Sequence, residues 1–157
     1  MDIRGRNGVS LNDKWEAGGN VKTYLGLGIA GFPNMFMCTG PLSPSVLTNM
    51  PSAIEQHVEW IADCIKYLQK HHIDTIEADG EAEDVWARHN KEVADATLFP
   101  KEKHSWYTGG NIEGKPKGFL IYAGGLKLYR DKCNEVAANG YEGFVLKPST
   151  SEKAPLL

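Results

Sequence analysis

Apolar residues recur through the middle of the chain with the period of a helix. Ser52-Ala-Ile-Glu55 has the spacing of a capping box, in which the serine accepts from an early backbone N–H and the glutamate returns to the serine's own N–H. A helix is therefore predicted to begin at Ser52. Ile54, Val58, Ile61, Ile65 and Leu68 then follow at intervals of four, three, four and three, one stripe that must face a core. Glu55, Glu59, Asp63, Lys66 and Lys70 fall opposite, and the pattern ends at His71 or His72. Beyond a short extended piece over 73–78, a second helix is expected from Glu81 to Leu98 with Ala82, Val85, Trp86, His89 and Val93 on its inner side. Asp79, Glu81, Glu83 and Asp84 crowd its first turn, where the helix dipole favours negative charge, and Pro100 stops it. A third helix places Leu126, Tyr129, Cys133, Val136 and Ala137 inward, closes at Asn139-Gly140 and leads into the strand YEGFVLK.

The remaining segments lack a period. The first thirty residues are glycine-rich and read as irregular, with one helical turn over 11–17. Such an opening resembles the continuation of a longer polypeptide more than the start of a domain. The run NMFMCT, Asn34 to Thr39, is apolar without alternation and bounded by Pro33 and Gly40-Pro41, which predicts a strand buried on both faces. The following GPLSPSVLTNMP holds three of the prolines and must be a loop of defined shape. A structured loop beyond the C-terminal end of a buried strand is where open α/β sheets place ligands. The long aperiodic stretch KEKHSWYTGGNIEGKPKG is a second functional candidate, since loops of that length seldom serve connection alone. Trp106 stands in it, flanked by His104 and Tyr107, where an indole can stack on a ligand or pin the loop to the body. The tail over 148–157 is expected to be disordered.

Composition narrows the classes. A chain of 157 residues and 17.3 kDa supports one core. Seventeen basic against twenty acidic side chains give a net charge of −3, which argues against a nucleic-acid groove. Three separated cysteines, Cys38, Cys64 and Cys133, fit reduced thiols in a cytoplasmic protein, and no apolar run has the length of a membrane span.

Gly26, Gly28 and Gly31 form a literal GxGxxG, but a dinucleotide fingerprint needs a strand before it and a helix after it. Phe32-Pro33-Asn34 follows instead, so the triplet reads as a flexible approach to the next segment. His57, His71, His72, His89 and His104 offer no i, i+4 pair for a metal, and Ser43, Ser45 and Cys38 lie in no nucleophile elbow.

The stretches KWEAGG, TYLGLGIAGFPNMFMCTGPLSPSVLTNM, IEQHVEWIADCI, ATLFPKEKHSWYTGGNIEGKP and GGLKLYRDKCNEVAANGYEGF closely resemble, in order and spacing, the C-terminal part of type I Baeyer–Villiger monooxygenases. The resemblance runs from about residue 2 to residue 146. It implies an α/β fold, the C-terminal portion of a Rossmann-like FAD-binding domain over 1–147, incomplete without the upstream chain. It implies FAD and NADPH as cofactors, with O2 and a ketone as substrates and an ester or lactone as product. Asn49 and Met50 match positions whose backbone approaches the flavin, and Ser45, Val46 and Leu47 match residues that shape the substrate pocket. Trp106 matches the tryptophan of a loop that closes over NADP, with Asn111 and Lys115 in the same loop. The family's nucleotide fingerprints have no counterpart here, so the chain is expected to be inactive alone and to need the missing N-terminal portion as its partner. Leu42 replaces a glycine usual in that loop, and Pro51 a common leucine, so a loop of different shape near the flavin is expected. The alternatives are a fragment of a nitrogen- or sulfur-oxidising flavin monooxygenase and a standalone non-catalytic binding module.

Overall fold

The computed structural model describes residues 2–101, 106–108, 113–114 and 116–149. The irregular opening contains one short α-helix, α1 (Leu11–Lys14), between two 3-10 turns, and its N-cap Ser10 accepts from the Asp13 amide. It is fastened to later parts of the chain by charge. The Arg6 guanidinium lies 2.9 Å from the Glu77 carboxylate, and buried Glu83 accepts from Lys14 Nζ at 2.9 Å and from the Ala30 amide at 2.6 Å.

Helix α2 spans Met50–Lys70. It begins earlier than the capping box predicts, because Asn49 supplies the cap, accepting from the Ser52 amide, and Pro51 fits the first turn where its missing N–H is harmless. The inward face also differs. Ala53, Gln56, His57, Trp60, Cys64 and Leu68 are buried, whereas Ile54, Val58 and Ile65 are 41%, 51% and 43% exposed. Ala53, His57, Trp60 and Cys64 also keep helical spacing, each one residue, or about 100° of rotation, from the expected stripe, and the two rows share Leu68. Trp60 decides between them. Its ring packs edge-on against Tyr141 and tilted on Phe144, and its indole N–H donates to the Cys133 carbonyl at 2.9 Å, a larger payload than any aliphatic side chain offers.

Strand β1 (Ile73–Ala78) confirms the short extended piece, and α3 (Gly80–Asp95) follows it, capped by Asp79. Here Trp86 is buried as expected and Ala82 and Val93 are partly buried against the core, but Glu83, Asn90 and Ala94 complete the buried face, leaving Val85 and His89 exposed. The helix ends before Leu98, with the Thr97 hydroxyl bonded back to the Ala94 carbonyl. In α4 (Leu126–Ala138) Tyr129, Cys133 and Val136 are buried as the sequence predicts. Gly140, at φ 70°, turns the chain into β2 (Phe144–Pro148), which pairs antiparallel with β1 from Ala78 opposite Phe144 to Ile73 opposite Pro148. Of the tail expected to be disordered over 148–157, Pro148 is instead paired in β2 and Ser149 donates its amide to the His72 carbonyl, extending the hold on β1, while residues 150–157 lie outside the described residues.

The run Asn34 to Thr39 is not a strand within this chain. Asn34 and Thr39 adopt left-handed backbone, at φ 57° and 51°, and the residues between them are at best half-buried. A strand needs a ladder, but these amides go to separate places: Asn34 to the Ile76 carbonyl and Met37 to the Leu27 carbonyl. The Asn34 side chain completes a clasp on β1, accepting from the Ile76 amide and donating to the Asp74 carbonyl.

The GxGxxG segment is a buried turn and not a flexible approach. Tyr24 and Gly28 exchange backbone hydrogen bonds, and Leu25, Leu27 and Ile29 are fully buried. A Cβ on Gly26 would meet Ser43 Cβ at 2.6 Å, and one on Gly28 would meet the Phe144 ring. These glycines allow close packing. The core joins that turn to Trp60, Cys64 and Leu68 of α2, Ile76 and Ala78 of β1, Trp86 of α3 and Tyr129, Cys133 and Val136 of α4. Among the described residues no helix is long and apolar enough to cross a membrane.

Candidate functional site

The proline-shaped loop over 39–48 is anchored from beneath. Ser43 and Pro44 are fully buried. Leu42 donates its amide to the Leu120 carbonyl at 2.8 Å, Tyr122 donates to the Ser43 carbonyl at 2.9 Å, and the Trp86 indole donates to the Leu42 carbonyl at 3.1 Å. The Thr23 hydroxyl reaches the Pro41 carbonyl, and the Ser43 hydroxyl the Gly40 carbonyl, both at 2.7 Å. Backbone groups of the loop are thus taken up by the body, as buried polar groups must be. Its outer side is left for other contacts. Ser45, Val46 and Leu47 form a single 3-10 turn in which Ser45 and Leu47 are half-buried and Val46 is 41% exposed. Asn49 is exposed at the cap of α2 and Met50 half-buried at its first position. The five predicted loop residues therefore share one continuous segment, rigid below and open above.

The second predicted loop meets the first at its root. Trp106–Thr108 is a 3-10 turn, and Gly118 donates back to the Thr108 carbonyl. From there the chain runs to Ile121, which forms a parallel bridge with Ser43. The side chain of Trp106, and Asn111 and Lys115 altogether, lie outside the described residues.

One residue is missed by sequence reasoning. His57 is fully buried, with Nδ1 accepting from the Thr39 amide at 2.8 Å and Nε2 2.7 Å from the Tyr129 hydroxyl. That hydroxyl donates to the Leu25 carbonyl at 2.6 Å. Burial alone lowers the imidazole's pKa to about 4. The same burial raises those of Tyr129 and Cys133, the latter to about 11. The signal was the alternative stripe through Ala53, His57, Trp60 and Cys64, which a purely aliphatic pattern hides.

An open groove of about 790 Å³ lies beside Tyr24, Val85, Trp86, His89, Tyr122 and Leu128. Its Trp86 and Tyr122 rings stack at 5.2 Å, and both residues also bond the underside of the 39–48 loop.

No family model matches the chain. It is 44% identical over 147 residues to the acetone monooxygenase (methyl acetate-forming) of Gordonia sp., covering 93% of this chain and 27% of that protein. It is 46% identical over 151 residues to the phenazine N-monooxygenase of Lysobacter antibioticus, with 96% and 27% covered. A Baeyer–Villiger monooxygenase of Pseudooceanicola batsensis is 41% identical over 153 residues, with 98% and 27% covered. Among solved structures, cyclohexanone monooxygenase from Rhodococcus sp. Phi1 bound to NADP+ superimposes with a TM-score of 0.89 at 44% identity, covering 95% of this chain and 27% of that one. The chain spans about a quarter of the length of the relatives it matches. Over nearly its whole length it is homologous to Baeyer–Villiger and cyclohexanone monooxygenases, as the counterpart of about a quarter of their polypeptide.

Proposed function

We propose that the chain is the C-terminal part of an FAD- and NADPH-dependent monooxygenase that converts ketones to esters or lactones with O2, and that it is inactive by itself. The observation that carries this is the 0.89 TM-score and 44% identity to an NADP+-bound cyclohexanone monooxygenase, over 95% of the chain. The residues present fit one edge of a flavin. Val46 and Met50 offer an apolar rim beside the N-terminus of a 21-residue helix, and a helix N-terminus favours an electron-rich ring edge. FAD, when bound, supplies the transfer of one oxygen atom from O2 to the ketone.

The chain's own contribution is placement. Ser45, Val46 and Leu47 wall the ketone, and the anchored underside of their loop keeps that wall in position. Asn49 and Met50 approach the flavin by their backbone. Trp106 excludes water over the nicotinamide cofactor when its loop closes. The free cysteines, two of them buried, suit a reducing cytoplasm.

Nitrogen oxidation is the second reading, favoured by the 46% identity to a phenazine N-monooxygenase. An antibody against this segment reports the mass of the native polypeptide. A mass several-fold above 17.3 kDa, with NADPH oxidation dependent on added ketone, supports the proposal. Turnover with N-heteroaromatics alone selects the second reading. Ketone-dependent NADPH oxidation by the purified 157-residue chain overturns its inactivity. A native mass near 17.3 kDa points to a separate module with a binding partner.

A further inference from the structure

The corner at Thr39 and Gly40 begins the segment that ends in the proposed pocket wall. Thr39 is left-handed at φ 51°, a conformation that a β-branched residue holds only under restraint. Its amide points inward to His57. Gly40 is pressed against the buried turn so closely that a Cβ there would lie 2.4 Å from the Gly26 carbonyl oxygen, and its own carbonyl receives the Ser43 amide and hydroxyl. Pro44, fully buried, then delivers the chain to the 3-10 turn at Ser45–Leu47.

We propose that His57 is a positioning residue for that wall. Its neutral imidazole fastens the Thr39 corner to α2 and, through Tyr129, to the second left-handed corner at Leu25 (φ 57°). This rests on the functional reading above, which puts the 45–47 segment against the substrate.

The hydrogen-bond directions leave one arrangement of protons. Nδ1 accepts from a backbone N–H, so it carries a lone pair and Nε2 carries the proton. Tyr129 donates its single proton to Leu25, so it receives from Nε2. Three bonds run in one sense, from the imidazole through the phenol to a carbonyl, with the Thr39 amide entering at the other nitrogen. Tyr129 from α4 is the titratable group facing the ring, Cys133 lies beside Tyr129, and burial keeps both neutral. Among the described residues burial, and no charged side chain, accounts for the state of His57. Proton uptake would set an Nδ1–H against the Thr39 N–H and release the corner.

Two arms test this. In the 157-residue chain labelled with nitrogen-15, His57 should show a bare Nδ1 and a protonated Nε2 from neutral pH to about pH 5. The Thr39 amide should exchange with solvent slowly, about tenfold faster in His57→Leu and little changed in His57→Gln, whose amide can both accept and donate. A protonated Nδ1 in the native chain, or equal exchange in all three proteins, overturns the clamp; the tautomer measurement needs no variant to fold. In a full-length monooxygenase carrying this segment, His57→Leu should raise KM for the ketone about tenfold with kcat and flavin content nearly kept, and His57→Gln should restore it. Equal KM values in the three enzymes overturn the positioning role. Absence of ketone-dependent NADPH oxidation in the unsubstituted full-length enzyme overturns the functional reading alone, and the nitrogen-15 arm still decides the clamp.

Discussion

Which face of α2 holds the core can be decided by two truncations two residues apart. The aliphatic stripe makes Val58 a core residue, whereas the structure leaves it 51% exposed and buries Trp60 to 6% exposure. Trp60→Ala removes an indole packed on Tyr141 and Phe144 and its hydrogen bond to the Cys133 carbonyl. Large-to-small changes of that kind cost about 3–5 kcal/mol, the transfer term and the residual cavity acting together. Val58→Ala removes two methyl groups that are half in water already, so its cost should stay below about 0.5 kcal/mol. Urea denaturation of the 157-residue chain reads both values. With a slope of about 2 kcal/mol per molar, Trp60→Ala should lower the midpoint by about 2 M and Val58→Ala by less than about 0.3 M. A Val58→Ala midpoint falling as far as that of Trp60→Ala would refute the assignment of the inner face.

His57 should make stability fall in acid. Its pKa is about 4 in the fold against an ordinary value of 6.5, so the unfolded chain takes up the proton first. The contribution is fully present above pH 6.5 and is lost as pH falls toward 4, with about 2 kcal/mol gone by pH 5. The difference in urea midpoint between pH 7.5 and 5 should shrink in His57→Gln; an unchanged difference would contradict the linkage. Gly26→Ala, at φ 69° and against Ser43, should cost about 2 kcal/mol or more, read by the same denaturation, and a neutral result would mean the turn is looser than described. Asn49→Ala should remove the α2 cap for about 1 kcal/mol, a fall of roughly 2–4 °C in Tm by calorimetry. An unshifted Tm would move the helix start back toward Ser52.

Much of the local structure was legible in the chain. Periodicity located the helices, because a helix must present one apolar side wherever it packs. Asn139-Gly140 marked the end of α4, because a left-handed residue there suits glycine. The prolines of the 39–48 segment and the aperiodic stretch around Trp106 singled out the two loops, and sequence resemblance supplied the family. Three features depended on the tertiary fold. The inner face of α2 was set by Trp60, whose ring and indole donor outweigh a row of aliphatic side chains, and α3 keeps the expected Trp86 inward while Glu83, Asn90 and Ala94 join it in place of Val85 and His89. The apolar run Asn34 to Thr39 forms no strand here, because pairing depends on neighbours that no local pattern encodes. His57 looked like one histidine among five, and only the meeting of α2, α4 and two left-handed corners gave it a fixed tautomer and a depressed pKa. Sequence fixes which segments can bury a face, while the energy of burial and of satisfied polar groups decides which face and which partner.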